Sequence, residues 1–396
     1  MRPLQGIKVL DLTQVLVGPF AAMLLADFGA EVIKIEPPEL GDHVRGWTPP
    51  GCKGESPHFL AVNRNKKSVS LNLKSPTGLK IFLRLAEDAD IILENFRPGV
   101  MDRLDLGYDV LRARNPRIIY CSMSGFGQTG PAKYDAAYDL IIQGAGGAMS
   151  VTGEEEGRPL KPGIPQADVM GALGAVAATL AALHGRERTG QGEYIDISML
   201  DIQVAAMGHF IMTYILTGRI GGPLGTAHPI LTPYETFRTK TFEINIAAVT
   251  EGHWEELCDL LGLSHLKDDE RFQTFESRVK NRKLLTPMIE EILLKKQGGE
   301  WIAILKAKKI PCGPINNVEM LLKDPQVIHR QMMVEVDHPT LGRIKIPGSP
   351  IRLGGMMGEE SMTAPPLLGQ HNREILCERL GYSETDLDNL RAQGVI

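Results

Sequence analysis

Apolar and polar residues follow two rhythms along the first third of the chain. Short apolar runs rich in Val, Ile and Leu predict strands at Lys8–Leu12, Glu31–Glu36, Ser68–Leu73, Ile91–Glu94 and Ile118–Ser122. Between them, helical spacing of apolar positions predicts helices over Pro19–Phe28, Thr77–Ala86 and Tyr108–Arg114, and Pro37–Pro57 is a loop rich in Pro and Gly. Strands separated by helices pair in parallel, which predicts a Rossmann-like, doubly wound α/β sheet.

Further along, a loop from Ser150 to Gln166 leads into an Ala-rich helix starting near Asp168, then a strand at Tyr194–Ile197 and one long helix, Ile202–Leu216. This completes the first part of a large domain, residues 1–216. The segment 217–233 is dense in Gly and Pro and reads as a linker. A strand at Phe242–Ala248 and amphipathic helices at Trp254–Leu261, Arg282–Leu294 and Trp301–Lys308 predict a smaller α+β domain over 234–310. A break at Ile310–Asn317 begins a second linker, 311–331. Residues 332–396, with a hairpin-like Val334–Ile346 and helices beginning near His371 and Glu384, return to the large domain.

Composition narrows the class. With 43% hydrophobic and 23% charged residues, the chain can bury a sizeable core, and wholesale disorder is excluded. A net charge of −5 argues against nucleic acid as the main partner but leaves room for local basic residues to hold a small anion. Five dispersed cysteines (Cys52, Cys121, Cys258, Cys312 and Cys377) form no CxxC pair and read as reduced thiols in a cytoplasmic protein. The ten histidines show no HxxxH or HExxH, so no metal site is expected. The strand pattern starts at once with Gly6–Leu12, so no signal peptide is expected. The longest apolar stretch, Val169 to Leu183, is short for a bilayer span and reads as a buried helix; no membrane association is expected.

Candidate chemistry centres on Asp168, at the start of DVMGALGAVAATLAALHG. An Asp in this place is a favoured N-cap. A carboxylate at a helix N-terminus is also held ionised by unpaired amides and the helix dipole, and the ionised form is the nucleophile. The two readings are compatible. Gly171 and Gly174 follow at i+3 and i+6, each costing helix propensity of roughly 1 kcal/mol against Ala. Either another element packs closely there, or a narrow ligand arm runs along the bare backbone. The basic run Asn63-Arg64-Asn65-Lys66-Lys67, followed by Lys74, is a solvated loop or a phosphate holder. The glycines at Gly144, Gly146, Gly147 and Gly153 are turn residues or backbone donors beside a reacting carbonyl. The turn TQVLVGP after the first strand lacks GxGxxG, which disfavours a nicotinamide dehydrogenase; GxxxxGK[ST] and GxSxG are also missing.

The long segments LDLTQVLVGPFAAMLLADFGAEVIKIE, GDHVRGW, NRNKKSVSLNLK, ILENFRPGVMDRLDLGYDVL, SGFGQTGP, YDLIIQGAGGAMSVTG and PPLLGQH occur in fixed order nearly end to end. Together they resemble family III CoA transferases (the CaiB/BaiF type). GTAHPILTPYETFRTK, GPINNVEMLLKDPQV and HPTLGRIKIPGSP look closest to the succinate–hydroxymethylglutarate, glutarate-using branch. The resemblance implies a homodimer of two interlocked ring-shaped subunits. It implies CoA transfer between carboxylic acids, with dicarboxylates as the expected acids and succinyl-CoA as a donor. The thioester is a substrate, and no cofactor is bound permanently. Asp168 falls on the family's nucleophile, which becomes an acyl anhydride and then a CoA thioester. CoA-contacting positions fall on Val15, Leu16 and Val17, on Leu71, Asn72, Leu73 and Lys74, on Asn95, Phe96 and Arg97, and on Arg103, with Lys74, Arg97 and Arg103 meeting phosphates.

Three departures mark this chain. Pro37 stands where the family commonly has Arg, so one adenosine or phosphate contact is altered. The glycine-rich flap of formyl-CoA transferases has no counterpart, and Thr239-Lys240-Thr241 replaces a motif that usually ends in Asp-Gly. Within the superfamily, α-methylacyl-CoA racemases are the runner-up, but the His they use as a base is Tyr138 here, before Asp139. A tyrosine, with pKa about 10, is a poor base at neutral pH. A CoA-binding relative without catalysis is disfavoured by the presence of the nucleophile and its helix. His228, Arg219 and Arg238 are candidate partners for a distal carboxylate.

Overall fold

The computed structural model describes residues 2–52, 54–353 and 362–396, so part of the C-terminal return lies outside the described residues. The backbone forms two compact units. One holds Met1–Ala148, Pro162–Leu216 and Pro325–Ile396; the other holds Met149–Lys161 and Thr217–Asp324.

The first unit is built on a six-stranded parallel sheet: β1 (Lys8–Asp11), β2 (Glu31–Glu36), β3 (Lys66–Ser70), β4 (Ile91–Glu94), β5 (Ile119–Ser124) and β6 (Tyr194–Ser198). Its order is β3-β2-β1-β4-β5-β6. The order reverses between β1 and β4, where Val9 pairs Ile91 and Asp11 pairs Leu93. Such a reversal opens a crevice at the carboxyl ends of the two strands, the usual ligand position in open α/β sheets.

Up to Thr217, the helices are α1 (Val17–Asp27), α2 (Pro57–Val62), α3 (Pro76–Ala86), α4 (Val100–Arg103), α5 (Tyr108–Arg114), α6 (Asp139–Ala145), α7 (Gln166–Thr189), α8 (Met199–Ala206) and α9 (Gly208–Thr217). On one face of the sheet, Leu24, Leu25, Ala172, Ala175 and Val176 of α1 and α7 pack on Val9, Ile91 and Ile119. On the other, Ile81, Phe82 and Leu85 of α3 and Leu111 of α5 pack on Leu10, Ile33 and Ile92, closed by Leu376 and Leu387 from the C-terminal segment. At 24 residues, α7 is longer than the apolar stretch suggested and is long and apolar enough, by length and composition, to cross a membrane. One side of it is buried: Ala167, Gly171, Ala172, Ala175, Val176, Thr179, Leu183 and Arg186.

Two expected elements differ. The single helix over 202–216 is two, α8 and α9, bent by 59° at their junction. The Met207 amide bonds both Gln203 O and Val204 O, tightening the last turn, and the flexible Gly208 starts the next helix. β3 starts two residues earlier than expected, because Lys66 and Lys67 are strand residues. As the edge strand, β3 exposes amides that side chains cover: Ser68 N–H donates to His371 Nδ1 (3.1 Å) and Ser70 N–H to Asn372 Oδ1 (2.9 Å).

The basic run is therefore neither a solvated loop nor a phosphate holder. Asn63, Arg64 and Lys66 are buried. Arg64 is paired with Asp27, and Lys66 Nζ lies 2.8 Å from Asp11 Oδ2 while also donating to Asn63 Oδ1 and Pro19 O. Lys67 pairs with Glu31 and Glu374.

The second unit holds a three-stranded sheet, β7 (Tyr234–Phe237), β8 (Ile244–Ala247) and β9 (Cys312–Pro314), paired antiparallel in that order. Its core joins Phe237, Ile244, Trp254, Leu257, Leu285, Ile289, Trp301 and Leu305. Arg278 is buried there, donating to Thr232 O, Phe272 O and both oxygens of Glu251.

The Lys66–Asp11 pair yields a stability prediction. Removing one partner of a buried ion pair strands the other, at about 3–5 kcal/mol. Asp11→Ala should lower the denaturant midpoint of the sheet unit by about that stability, followed by far-UV circular dichroism. A shift under about 1 kcal/mol would show that water already reaches Lys66.

Candidate active site

The crevice between β1 and β4 is lined by the turns that leave these strands. The β1–α1 turn is strained: Val15 has φ 71°, in the left-handed region that β-branched residues avoid. Charges beneath and beside it hold it there. Lys34 Nζ donates to Thr13 O (2.6 Å) and lies 2.9 Å from Asp42 Oδ2, whose other oxygen accepts Val15 N–H (3.0 Å). Across the crevice, Asn95 accepts Gln14 N–H and donates to Gln14 O, both at 2.8 Å, locking the β4 turn to the β1 turn. Asp11 accepts Thr13 N–H at 2.9 Å.

The electrostatics follow from burial. Burial opposes ionisation of Asp11, but Lys66 and Lys34 outweigh it and hold its carboxyl below the usual range. Burial likewise disfavours the Lys34 ammonium, and Asp11, Asp42 and Glu36 overcome it and raise its pKa. Lys66 is the cation that gives way: burial, with repulsion from Lys34, brings it down to about 8. Glu36 is gripped by Arg45 through two bonds of 2.7 and 2.8 Å.

Two hollows open above these turns. The smaller, about 250 Å³, is lined by Gln14, Val15, Leu16, Val17, His43, Asn95, Phe96, Arg97, Ser124, Lys133, Asp135, Tyr138 and Asp168 among others. Seven of the twelve residues expected in the site thus meet in one cavity. The larger, about 560 Å³, takes in Leu71, Asn72, Leu73 and Lys74 with Leu12, Ile35, Pro37, Val100, Leu104 and Gly394. Gln14, His43 and Phe96 belong to both. Arg103 alone is not gathered in: it is exposed at the end of α4 and lines neither hollow.

Asp168 is not the cap of its helix. α7 starts at Gln166 with Pro165 at the cap position, so Asp168 sits at the third helical residue, within the first turn. Capping is done from outside: Asp139 Oδ1 accepts Ala167 N–H (2.9 Å), and its Oδ2 accepts from Gln143 (2.7 Å). The buried Asp139, first residue of α6, therefore ties two helix starts together beside Asp168. Gly171 and Gly174 of α7 answer to packing. A Cβ on Gly174 would lie 2.5 Å from Ile202 Cδ1, and one on Gly171 3.1 Å from Val17 Cγ2.

The glycine tract does not supply donors here. Gly146 and Gly147 donate to Ile142 O and Gly144 O within their own turn, and none of Gly144, Gly146 and Gly147 lines the hollow. Gly153, Arg219, His228 and Arg238 belong to the second unit, where Arg238 is held by both oxygens of Glu290. Gln14, His43 and Lys133 were not singled out from sequence. Gln14 and His43 lie inside the TQVLVGP and GDHVRGW segments, but a motif does not say which of its side chains turn into a cavity.

The family model for CoA-transferase family III matches residues 4–372. The chain belongs to CoA-transferase family III. Among curated relatives, the succinyl-CoA:glutarate CoA-transferase of Mus musculus is 41% identical, covering 100% of this chain and 91% of its own. The succinate–glutarate CoA-transferase of Agrobacterium fabrum is 38% identical over 95% of each. Among solved structures, a CaiB/BaiF family protein from Brucella suis is similar with a TM-score of 0.84 and 37% identity, covering 95% of this chain and 99% of that one. This family III enzyme is a CoA-transferase.

On the far side of Arg97 lies a third hollow of about 450 Å³, lined by Glu94, Asp102, Tyr108, Tyr120, Gln128 and Tyr194. Burial pushes the Glu94 carboxyl up to about 7, although Ser122 and the Phe96 amide donate to it. The folded protein therefore binds a proton on Glu94 that the unfolded chain has released above its ordinary value near 4.5. Stability from this group is full below that value and falls as pH rises toward 7. Glu94→Gln should gain thermal stability relative to the unsubstituted protein between pH 5 and pH 8, read by differential scanning calorimetry. A constant difference in Tm across that range would mean that Glu94 is ionised in the fold throughout.

Proposed function

We propose that this enzyme moves CoA between two carboxylic acids through covalent intermediates on Asp168. The observation that carries this reading is the placement of Asp168: first turn of α7, in the hollow formed by the β1 and β4 turns. A carboxylate in the first turn of a helix lies at the positive end of the helix dipole, which favours its charged, nucleophilic form.

An Asp168 oxygen attacks the thioester carbonyl of the donor acyl-CoA. The C–S bond breaks, CoA leaves as thiolate, and an acyl-aspartyl anhydride remains. The thiolate attacks the aspartyl carbonyl, the donor acid departs as carboxylate, and Asp168 now carries CoA as a thioester. The acceptor carboxylate attacks that thioester, giving a second anhydride and free thiolate. Attack of the thiolate on the acceptor's acyl carbon releases the new acyl-CoA and restores Asp168. One thioester replaces another, so the sequence needs neither ATP nor an external proton source.

The hollows suit this division of labour. Leu71–Lys74 and the apolar wall of the larger hollow would take the nucleotide end of CoA, and Val15–Val17, Asn95, Phe96 and Arg97 would guide the thioester end to Asp168. Asp139 acts through α7, fixing where Asp168 stands. Tyr138, which lines the same hollow, gives no base for the proton abstraction a racemase needs. The acid pair is proposed from the relatives. The Mus musculus and Agrobacterium fabrum proteins are named for succinate and glutarate, and a Chloroflexus aurantiacus relative at 37% identity for succinyl-CoA and D-citramalate. Succinyl-CoA is the proposed donor and a dicarboxylate the acceptor. We further propose the interlocked homodimer. It is supported by the apolar exposure of α9, which has no buried residue and leaves Ile215 64% and Leu216 75% exposed.

The test mixes enzyme, succinyl-CoA and a panel of mono- and dicarboxylic acids and follows new acyl-CoA species by mass spectrometry. Glutarate or a close dicarboxylate should give a new thioester. Asp168→Ala should retain CoA binding yet transfer at less than about one-thousandth of the unsubstituted rate. Substantial transfer by Asp168→Ala would remove Asp168 from the chemistry. Deuterium entering the α-carbon of a 2-methylacyl-CoA, without transfer, would favour the racemase instead.

A further inference from the structure

The two hollows share three residues, Gln14, His43 and Phe96, so a ligand extending from one to the other must pass between these side chains. Two of the three belong to pinned backbone. Gln14 is locked to Asn95 through its own N–H and carbonyl, and the Phe96 amide donates to Glu94. Neither side chain carries charge. His43 is the one titratable residue at this waist.

His43 is also firmly placed. It opens a short 3₁₀ turn, His43–Gly46, capped by Asp42, which accepts Val44 N–H (3.2 Å) and Val15 N–H (3.0 Å) through the same oxygen. Asp42 is buried and paired with Lys34, so the His43 backbone stands on the charge network beneath the β1 turn. The imidazole itself is exposed and bonds to no other described residue. The charged groups around it are mostly committed or distant in role. Glu36 is held by Arg45, Glu39 and Lys74 face the larger hollow, and Arg97, Lys133, Asp135 and Asp168 face the smaller.

We propose that His43 binds the diphosphate of CoA as it crosses the waist between the hollows. This rests on the reading above, in which the thioester reaches Asp168 and the nucleotide lies against Leu71–Lys74. Coenzyme A carries its diphosphate between these two ends. A ring N–H beside that path meets a diphosphate carrying a charge on each phosphorus, and a bond to a charged oxygen is among the stronger hydrogen bonds. The larger hollow also presents Pro37, which offers no side-chain donor. His43 thus sets affinity for the carrier and takes no part in the bond changes at Asp168.

Truncated carriers separate this role from others. Succinyl-CoA, its dephospho form (no 3′-phosphate, diphosphate kept) and succinyl-pantetheine (no phosphates) would be compared as donors for His43→Ala and the unsubstituted enzyme. The substitution should raise KM about tenfold for succinyl-CoA and equally for the dephospho donor, with kcat little changed, and leave kcat/KM for succinyl-pantetheine unaltered. His43→Gln, which keeps an N–H donor, should recover part of the loss. Two results would overturn the proposal: an equal penalty on all three donors, which places His43 on the pantetheine arm, or a penalty lost with the dephospho donor, which assigns it to the 3′-phosphate. If the unsubstituted enzyme transfers from none of them, the failure lies with the proposed succinyl-CoA donor and not with His43.

Discussion

Two buried lysines hold the turn on which the site is built. Lys34 reaches up from β2 to the carbonyl of Thr13 and the carboxylate of Asp42, and Lys66 reaches across from β3 to Asp11. All four charged groups are withdrawn from water. Buried ion pairs add little net stability, because desolvation consumes most of the Coulombic gain. What they add here is position. Asp42 fixes the Val15 amide, and with it a residue in a left-handed conformation that costs of order 1–3 kcal/mol. Without that grip the turn would relax, α1 would start elsewhere, and the Gln14–Asn95 lock across the crevice would open.

The crevice itself follows from topology. A parallel sheet whose order reverses between β1 and β4 leaves the turns after these strands facing each other, with no crossover between them. One further element brings Asp168 to it. α7 packs tightly on Val17 of α1 at Gly171 and on Ile202 of α8 at Gly174, and Asp139 secures its first turn. Gly171, read from sequence as either packing or ligand clearance, thus lets the Asp168 turn of α7 approach the start of α1. The same network that steadies Val15 also carries the turn that begins at His43, so both walls of the crevice share one foundation.

Much of this was legible in the chain. The strand–helix alternation gave the parallel sheet, because apolar runs such as EVIKIE and IILE are buried on both faces and read as continuous. The long ordered motifs gave the family, and through it Asp168 and most of its neighbours. Three things were hidden for physical reasons. Charge in sequence does not report burial, so the Asn63–Lys67 run looked like a surface feature while Arg64 and Lys66 faced carboxylates far away in the chain. A helix start set by a remote cap gives no local sign, and Asp168 therefore looked like the cap that Asp139 provides. Glycines in series suggested free amides, but the donors of Gly146 and Gly147 are used within their own turn. In each case the deciding partner is more than 20 residues away or the deciding bond is a backbone one, and neither is written in residue type.

The central claim is that CoA becomes covalently attached to the Asp168 carboxyl. The most direct measurement incubates the enzyme with succinyl-CoA alone, reduces it with borohydride, and maps the digested protein by mass spectrometry. An activated aspartyl group, as thioester or anhydride, is reduced to the alcohol, whereas a free carboxylate is not. The account predicts homoserine at position 168, in that peptide only and only when the thioester is present. Aspartate recovered intact at 168 from enzyme that is turning over, or reduction at another carboxylate, would contradict it.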